Sequence, residues 1–373
     1  MNRNPILICY LTNAMTRKLS KLFYLLLLIG LISSCSNDVI IAPAKPKPKA
    51  LGKMNTINVL TDQQMWEGSI GDSIRYYFGG EYPVTPRPEP LFDLRFFPSE
   101  KMAYEEAIRE LRVYLVIANL SDSESASTKM LKKDLGEAKF NQAIKDPEFT
   151  TSVGKNKWAT NQLIIYVFGN SHEEIFTEIR ENFGAIALRV KAHDSEQLAS
   201  MTYARGENIG LSKLLKEKYG YNFKVPGDFK VAIDDETNNY FDIRKDLDDN
   251  IFTISFSTYP YTSTSQLEKP YFIEKMNENG MMRNFSREAN SHMVLNDVDL
   301  PILEYSFQKE GSYGKEFRGI WELENDFIGG PYIAYFILNE DKREILLVNT
   351  WVMAAGKKKR NFLQQLELIV KGK

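Results

Sequence analysis

The chain has almost no cysteine and almost no histidine. Cys9 and Cys35 are the only thiols in 373 residues, and His172, His193 and His292 the only imidazoles. Everything beyond Cys35 is therefore without an internal disulfide. No two histidines stand at the i, i+4 spacing of helical zinc sites, so each reads as a surface or hydrogen-bonded side chain. The net charge is −2, which lacks the basic excess of a nucleic-acid binder. No Gly-x-Ser-x-Gly elbow, phosphate-binding glycine loop or dinucleotide fingerprint occurs. Ser152–Lys155 and Ser306–Lys309 match Ser-x-x-Lys, but the first reads as a glycine-containing loop and the second as a strand. Neither sets a lysine base one helical turn from its serine. The acidic runs Asp234–Glu236 and Asp246–Asn250 lack the loop glycine of a calcium site and read as hairpin turns. On these grounds no catalytic residue, metal site or cofactor is assigned.

What the sequence does carry begins at its N-terminus. Arg17, Lys18 and Lys21 precede an apolar run from Leu22 to Ile32, then Ser33, Ser34 and Cys35. Basic, apolar and small-residue regions in that order make a secretory signal. The run is too short for a permanent span, which needs roughly 20 apolar residues. Its end resembles the lipobox of bacterial lipoproteins, which implies that Cys35 is lipidated and becomes the mature N-terminus; an ordinary signal peptide cut near a cysteine is the alternative. Met15 is a plausible start, since Met15–Lys21 makes a compact basic region by itself. Residues 1–35 are thus expected to be signal and lipobox. Residues 36–54, where proline alternates with lysine from Pro43 to Lys49, are expected to be a polyproline-like tether. At ~3.1 Å per residue it would reach roughly 60 Å.

The remaining length and 43% hydrophobic content suffice for a large core in two domains, placed at 55–205 and 206–373 with the boundary between Gln197 and Leu211. The first reads as alternating strand and helix: strand Ile57–Leu60, helix Gln63–Phe78 weakened by Gly68 and Gly71, a proline-rich extended segment, and a helix from Ser99 to Glu110. Strand Arg112–Leu120, a polar helix Glu124–Ile144, strand Asn161–Phe168 and a long helix capped by Ser171 follow, an α/β layered arrangement. After a helix Leu211–Tyr219 ending at Gly220, strands dominate: 221–225, 229–234, 240–245, 250–259, 301–308, 317–322, 332–338 and 344–353. With a helix at 269–278 and a last one at 357–370, this half reads as an antiparallel α+β domain. The fold class expected for the whole is α+β.

The last third holds the most specific pattern. Gly329-Gly330-Pro331 reads as a backbone turn able to approach something closely. Lys357, Lys358, Lys359 and Arg360 fall at an expected helix start, where the macrodipole disfavours cations; free N–H groups there could grip a phosphate or carboxylate, or nearby carboxylates could simply stabilise the charges. With Arg318 and Trp321 these residues form the candidate binding edge.

Across Trp66–Gly68, Gly71-Asp72, Pro86–Leu94, Phe241–Arg244, Arg318–Trp321, Gly329–Pro331 and the Lys-Lys-Arg before the final helix, the chain resembles a lipoprotein family of the Bacteroidota known as domain of unknown function 4837. It departs from that pattern at IGGPY and VMAAG. The resemblance implies an anchored envelope protein and supplies no catalytic residues. The C-terminal half is also loosely similar in topology to PsbP-like accessory folds.

Two functions are therefore expected in competition. One is a lipid-anchored binding or scaffold protein on the periplasmic face of the outer membrane, with an envelope protein or glycan as partner and no nucleic acid. The other is an envelope hydrolase of peptidoglycan or peptide, with Glu89, Asp93 or Glu322 as its acid.

Overall fold

A computed structural model describes residues 46–248 and 250–372. Cys9, Met15 and Cys35, and with them the signal and lipobox, lie outside the described residues. From Pro48 onward the chain forms one compact unit of α+β class. Residues expected at the end of the tether are built into it: Ala50 N donates to Thr160 O and Leu51 N to Glu110 O, and Ala50 and Met54 are buried.

The first half is a five-stranded sheet. Strand β1 (Thr56–Thr61) is followed by two short helices, α1 (Gln63–Glu67) and α2 (Ser69–Phe78), then β2 (Asp93–Pro98). The single helix expected here breaks at Gly68, whose extended backbone lets the second helix restart. Ser99–Ala103 forms a 3₁₀ turn and α3 (Glu106–Arg109) a single turn, in place of one helix to Glu110. Strand β3 (Val113–Asn119) leads to α4 (Ala126–Leu135) and α5 (Glu137–Lys145), parted by Gly136 at φ +78°. Strand β4 (Thr151–Lys155) occupies the expected loop, then come β5 (Leu163–Gly169) and the long α6 (His172–Thr202). The order is β2-β1-β3-β5-β4, parallel except for β4. Both faces are covered, which explains the nearly continuous apolar runs of β3 and β5. Val59, Leu115 and Ile165 pack beneath α2 and α6, while Tyr114, Val116 and Phe168 pack against α4 and α5.

The second half opens with α7 (Ile209–Tyr219), closed by Gly220 in the left-handed conformation. Residues 221–225, expected as a strand, cross over the sheet without pairing, and there Tyr221, Phe223 and Val225 join the core. Strands β6 (Lys230–Asp235), β7 (Tyr240–Leu247) and β8 (Asn250–Pro260) precede α8 (Lys269–Arg283). Then follow β9 (Met293–Asn296), β10 (Leu303–Lys309), β11 (Ser312–Leu323), β12 (Gly329–Asn339), β13 (Glu344–Ala354) and α9 (Arg360–Lys371). All pairings are antiparallel, in the order β10-β11-β12-β13-β8-β7-β6, with β9 added beside β11. One face carries α7 and α9, whose Leu363, Leu366 and Ile369 insert against Ile333, Val348 and Val352. Each such fully buried side chain contributes about 1.5–3 kcal/mol. The other face carries α8, whose Phe272 stacks on Phe317 at 4.0 Å.

Two sequence readings change here. Gly329-Gly330-Pro331 is not a turn but the start of β12, paired to Trp321 and Ile320. A Cβ on Gly330 would stand 2.1 Å from Val352 O, so the glycine lets two backbones approach. Ser152–Lys155 lies in β4, and Lys309 of the second Ser-x-x-Lys is buried, donating to Asn222 O and Val370 O at 2.7 Å. Both acidic runs do lie at the two ends of β7, where Asp235 caps a 3₁₀ turn and Asp248 adopts φ +53°.

Candidate functional site

The proline-rich segment between α2 and β2 is a clamp. Tyr82 N donates to Glu89 O and Leu91 N to Gly80 O, each at 2.6 Å, closing a hairpin-like loop with Val84 at φ +55°. The loop reaches across to the C-terminal helix. Glu89, buried, accepts hydrogen bonds from the backbone N–H groups of Lys359 and Arg360, so its carboxylate caps α9. The N–H groups expected to hold a ligand's phosphate are already taken. Arg360 is buried as well, binding Asp93 at 2.6 Å and Pro90 O. Burial pushes Asp93 up, but the hydrogen bond and charge of Arg360, with the charge of Lys358, carry its carboxyl below its usual range. Glu89 and Asp93, two of the three acids considered for hydrolysis, are thus held in structural pairs. Glu322 is exposed on β11 and accepts from Asn296 Nδ2 at 3.0 Å.

The helix begins at Arg360, later than the sequence reading, so Lys357, Lys358 and Lys359 lie in the loop before it. Between this loop, the proline clamp and the start of β12 lies a cleft of about 620 Å³, lined by Arg87, Lys357, Lys358, Lys359, Phe327 and Gly329 among others. Arg87 and Lys357 make no ion pair among the described residues, and Lys358 reaches Asp93 only at 3.4 Å. Lys359 has its pKa lowered, by burial first and by Arg87, against the pull of Glu89. Phe327 stands fully in solvent at the rim. Four cations beside one committed carboxylate leave this cleft with a positive field, in a volume typical of small-ligand sites.

The expected binding edge therefore divides. Gly329, Lys357, Lys358 and Lys359 come together; Arg318, Trp321, Gly330, Pro331 and Arg360 do not line the cleft. Trp321 is buried edge-on to Trp351 at 5.2 Å, and Gly330 and Pro331 are buried in the sheet. Arg318 sits in a different cavity, of about 650 Å³, between α6, α9 and β11. There it pairs with Glu316 and with Glu367 at 2.8 Å and donates to Tyr82 OH at 3.3 Å, while Lys371 joins both glutamates. Burial raises the Tyr82 hydroxyl to about 12. In this cavity the buried charges answer one another. Sequence reasoning missed Arg87, whose proline neighbours marked it as part of an extended segment only, and missed Glu367, whose one-turn spacing to Lys371 was the available signal.

No helix among the described residues is long and apolar enough to cross a membrane. Residues 210–372 match the family described as a domain of unknown function (DUF4837), the family that the motifs from Phe241 onward resemble. Residues 50–203 match a second one, also described as a domain of unknown function (DUF8532), and the motifs at Trp66–Gly68 and Pro86–Leu94 fall there. No curated protein matches the chain. Among solved structures, the human StarD13 (DLC2) lipid transfer and protein localization domain is similar at 11% identity and a TM-score of 0.21, over 43% of this chain and 91% of that one. So slight a likeness bears on neither fold nor function.

Proposed function

We propose that the chain is a lipid-anchored cell-envelope protein that holds an anionic partner, protein or glycan, in the cleft between the proline clamp and the Lys357–Lys359 loop. The observation that carries this reading is the contrast within one basic run. Arg360 is buried and paired, whereas Lys357, Lys358 and the distant Arg87 converge, exposed, on one concavity. Exposed cations add little to stability, and convergent ones attract anions. The signal, the lipobox at Cys35 and the tether support placement on the periplasmic face of the outer membrane, with the membrane itself engaged through the lipid. The hydrolase reading loses two of its acids to structural pairs and is the weaker alternative.

Crosslinking and pull-down from intact envelopes tests this, comparing the native chain, a Cys35→Ala form and an Arg87→Ala/Lys357→Ala/Lys358→Ala form. The expected result is a partner recovered with the native chain, lost without the anchor, and lost with the triple variant although that variant melts normally. An unchanged partner set in the triple variant overturns the cleft assignment.

A further inference from the structure

The cavity of about 650 Å³ that holds Arg318 lies where the two family-matched regions meet. The first region supplies α6 and the loop at Tyr82, and the second supplies β10, β11 and α9. Small-ligand sites concentrate at such junctions and in volumes of this order. Its depth and its rim differ in character. At the bottom Glu316, Arg318 and Tyr82, each more than nine-tenths buried, make a polar floor. The walls are apolar, from Leu188 and Leu198 on α6, Leu368 on α9 and Tyr305 on β10. Leu188 is 69% exposed and Tyr305 45%, so the fold leaves apolar surface uncovered at the mouth.

The floor has donors left over. Arg318 gives Nε to Glu316, Nη2 to Glu367 and Nη1 to the hydroxyl oxygen of Tyr82, which leaves part of its five-donor fork unused. The Tyr82 hydroxyl accepts that bond and gives its own proton to no acceptor among the described residues. Burial raises it to about 12, so near pH 7 it remains a donor. Lys191, on the α6 wall, makes no ion pair among the described residues. Part of its side chain is in solvent, yet burial lowers its pKa, with repulsion from Arg318 and Lys371 and against the pull of Glu367. Its ammonium therefore feels the charges of the floor. Lys191, Arg318 and Lys371 face Glu316 and Glu367 across the cavity, one positive charge in excess. A ligand that answers this excess brings a single negative charge and oxygen acceptors, which a carboxylate supplies together. A neutral hydroxyl compound would leave the charge unmatched. A doubly charged phosphate would overshoot it beside two carboxylates.

We propose that this cavity binds a small amphipathic carboxylate, its head on Tyr82, Arg318 and Lys191 and its hydrocarbon body along Leu188, Leu198 and Tyr305. The site is separate from the cationic cleft and stands on different observations. It is tested by calorimetric titration of the full chain with octanoate, using octanamide to probe the charged end and acetate to probe the apolar one. Octanoate should bind saturably, and the other two roughly tenfold or more weakly, since each lacks one of the two attractions. Lys191→Met keeps the stem and removes the charge, so it should leave the urea midpoint unchanged and weaken octanoate about tenfold, the loss of one charge-assisted hydrogen bond. Tyr82→Phe should weaken it too, and Lys191→Met keeps the test decisive if that buried variant does not fold. The Arg87→Ala/Lys357→Ala/Lys358→Ala form should bind octanoate as the native chain does, which separates this site from the cleft. No saturable binding of octanoate, equal binding of octanamide or acetate, or native affinity in Lys191→Met overturns the proposal. So does loss of binding in the triple variant.

Discussion

The two faces of the large sheet handle buried polarity in opposite ways. On the α9 face, Arg318, Glu316, Glu367 and Lys371 form a closed set in which every charge has an opposite within hydrogen-bond reach. On the α8 face, Asp242 is as deeply buried as Glu316 and has no such partner. Burial depth alone does not distinguish a structural charge from an available one. The decisive quantity is whether the desolvation cost is offset inside the fold, and the sheet does this on one side only.

The difference can be broken most sharply at Asp242. Its carboxyl goes from an ordinary value of 3.8 to about 8 on folding, so the fold prefers it protonated. Its contribution is therefore full below about pH 4, declines as pH rises toward 8 and is level above that. That change corresponds to roughly 5 kcal/mol. Asp242→Asn, which mimics the neutral acid, should be more stable than the native chain by several kcal/mol at about pH 9 and equal to it at about pH 4, measured by urea midpoints across pH. Curves that stay parallel across pH would mean the carboxylate is compensated after all.

On the opposite face, Arg318→Met leaves Glu316 and Glu367 sharing Lys371 alone and should cost about 3–5 kcal/mol in the same denaturation assay. A loss below about 1 kcal/mol would put this network among exposed, screened pairs. The smallest effect is expected at the joint between the proline clamp and α9. Glu89→Gln keeps an acceptor at the helix start and removes its charge, so it should cost about 1 kcal/mol, seen as a thermal midpoint lowered by a few degrees at most.

What could be read from the sequence follows the range of the interaction responsible. Ser171 capping α6, Gly220 ending α7 and the β7–β8 hairpin at Asp246–Asn250 are local, and the sequence carries them legibly. Gly329 and Gly330 were misread because their conformation is ordinary; the constraints are Trp321 O against Gly329 and Val352 O against Gly330, each on another strand, and no local pattern records a neighbour's carbonyl. The basic run was misread for the same reason. Helix polarity argues against Arg360 at a first turn, but Glu89 and Asp93 arrive from far away to reverse that balance. The cavity shared by Tyr82, Lys191 and Arg318 is invisible without the fold, since its lining comes from separate strands, helices and the proline loop.

The clamp onto α9 also sets a timetable. Glu89 is 271 positions ahead of the amide it caps, and Arg360 belongs to the last helix. A chain emerging N-terminus first exposes the proline loop long before its binding partner exists, and contacts of such separation are slow to form. The parallel sheet can assemble early, but its loop stays undocked until α9 is made. Loss of α9 would thus be felt at a loop some 270 positions earlier, which makes that helix a checkpoint for completion of the whole unit.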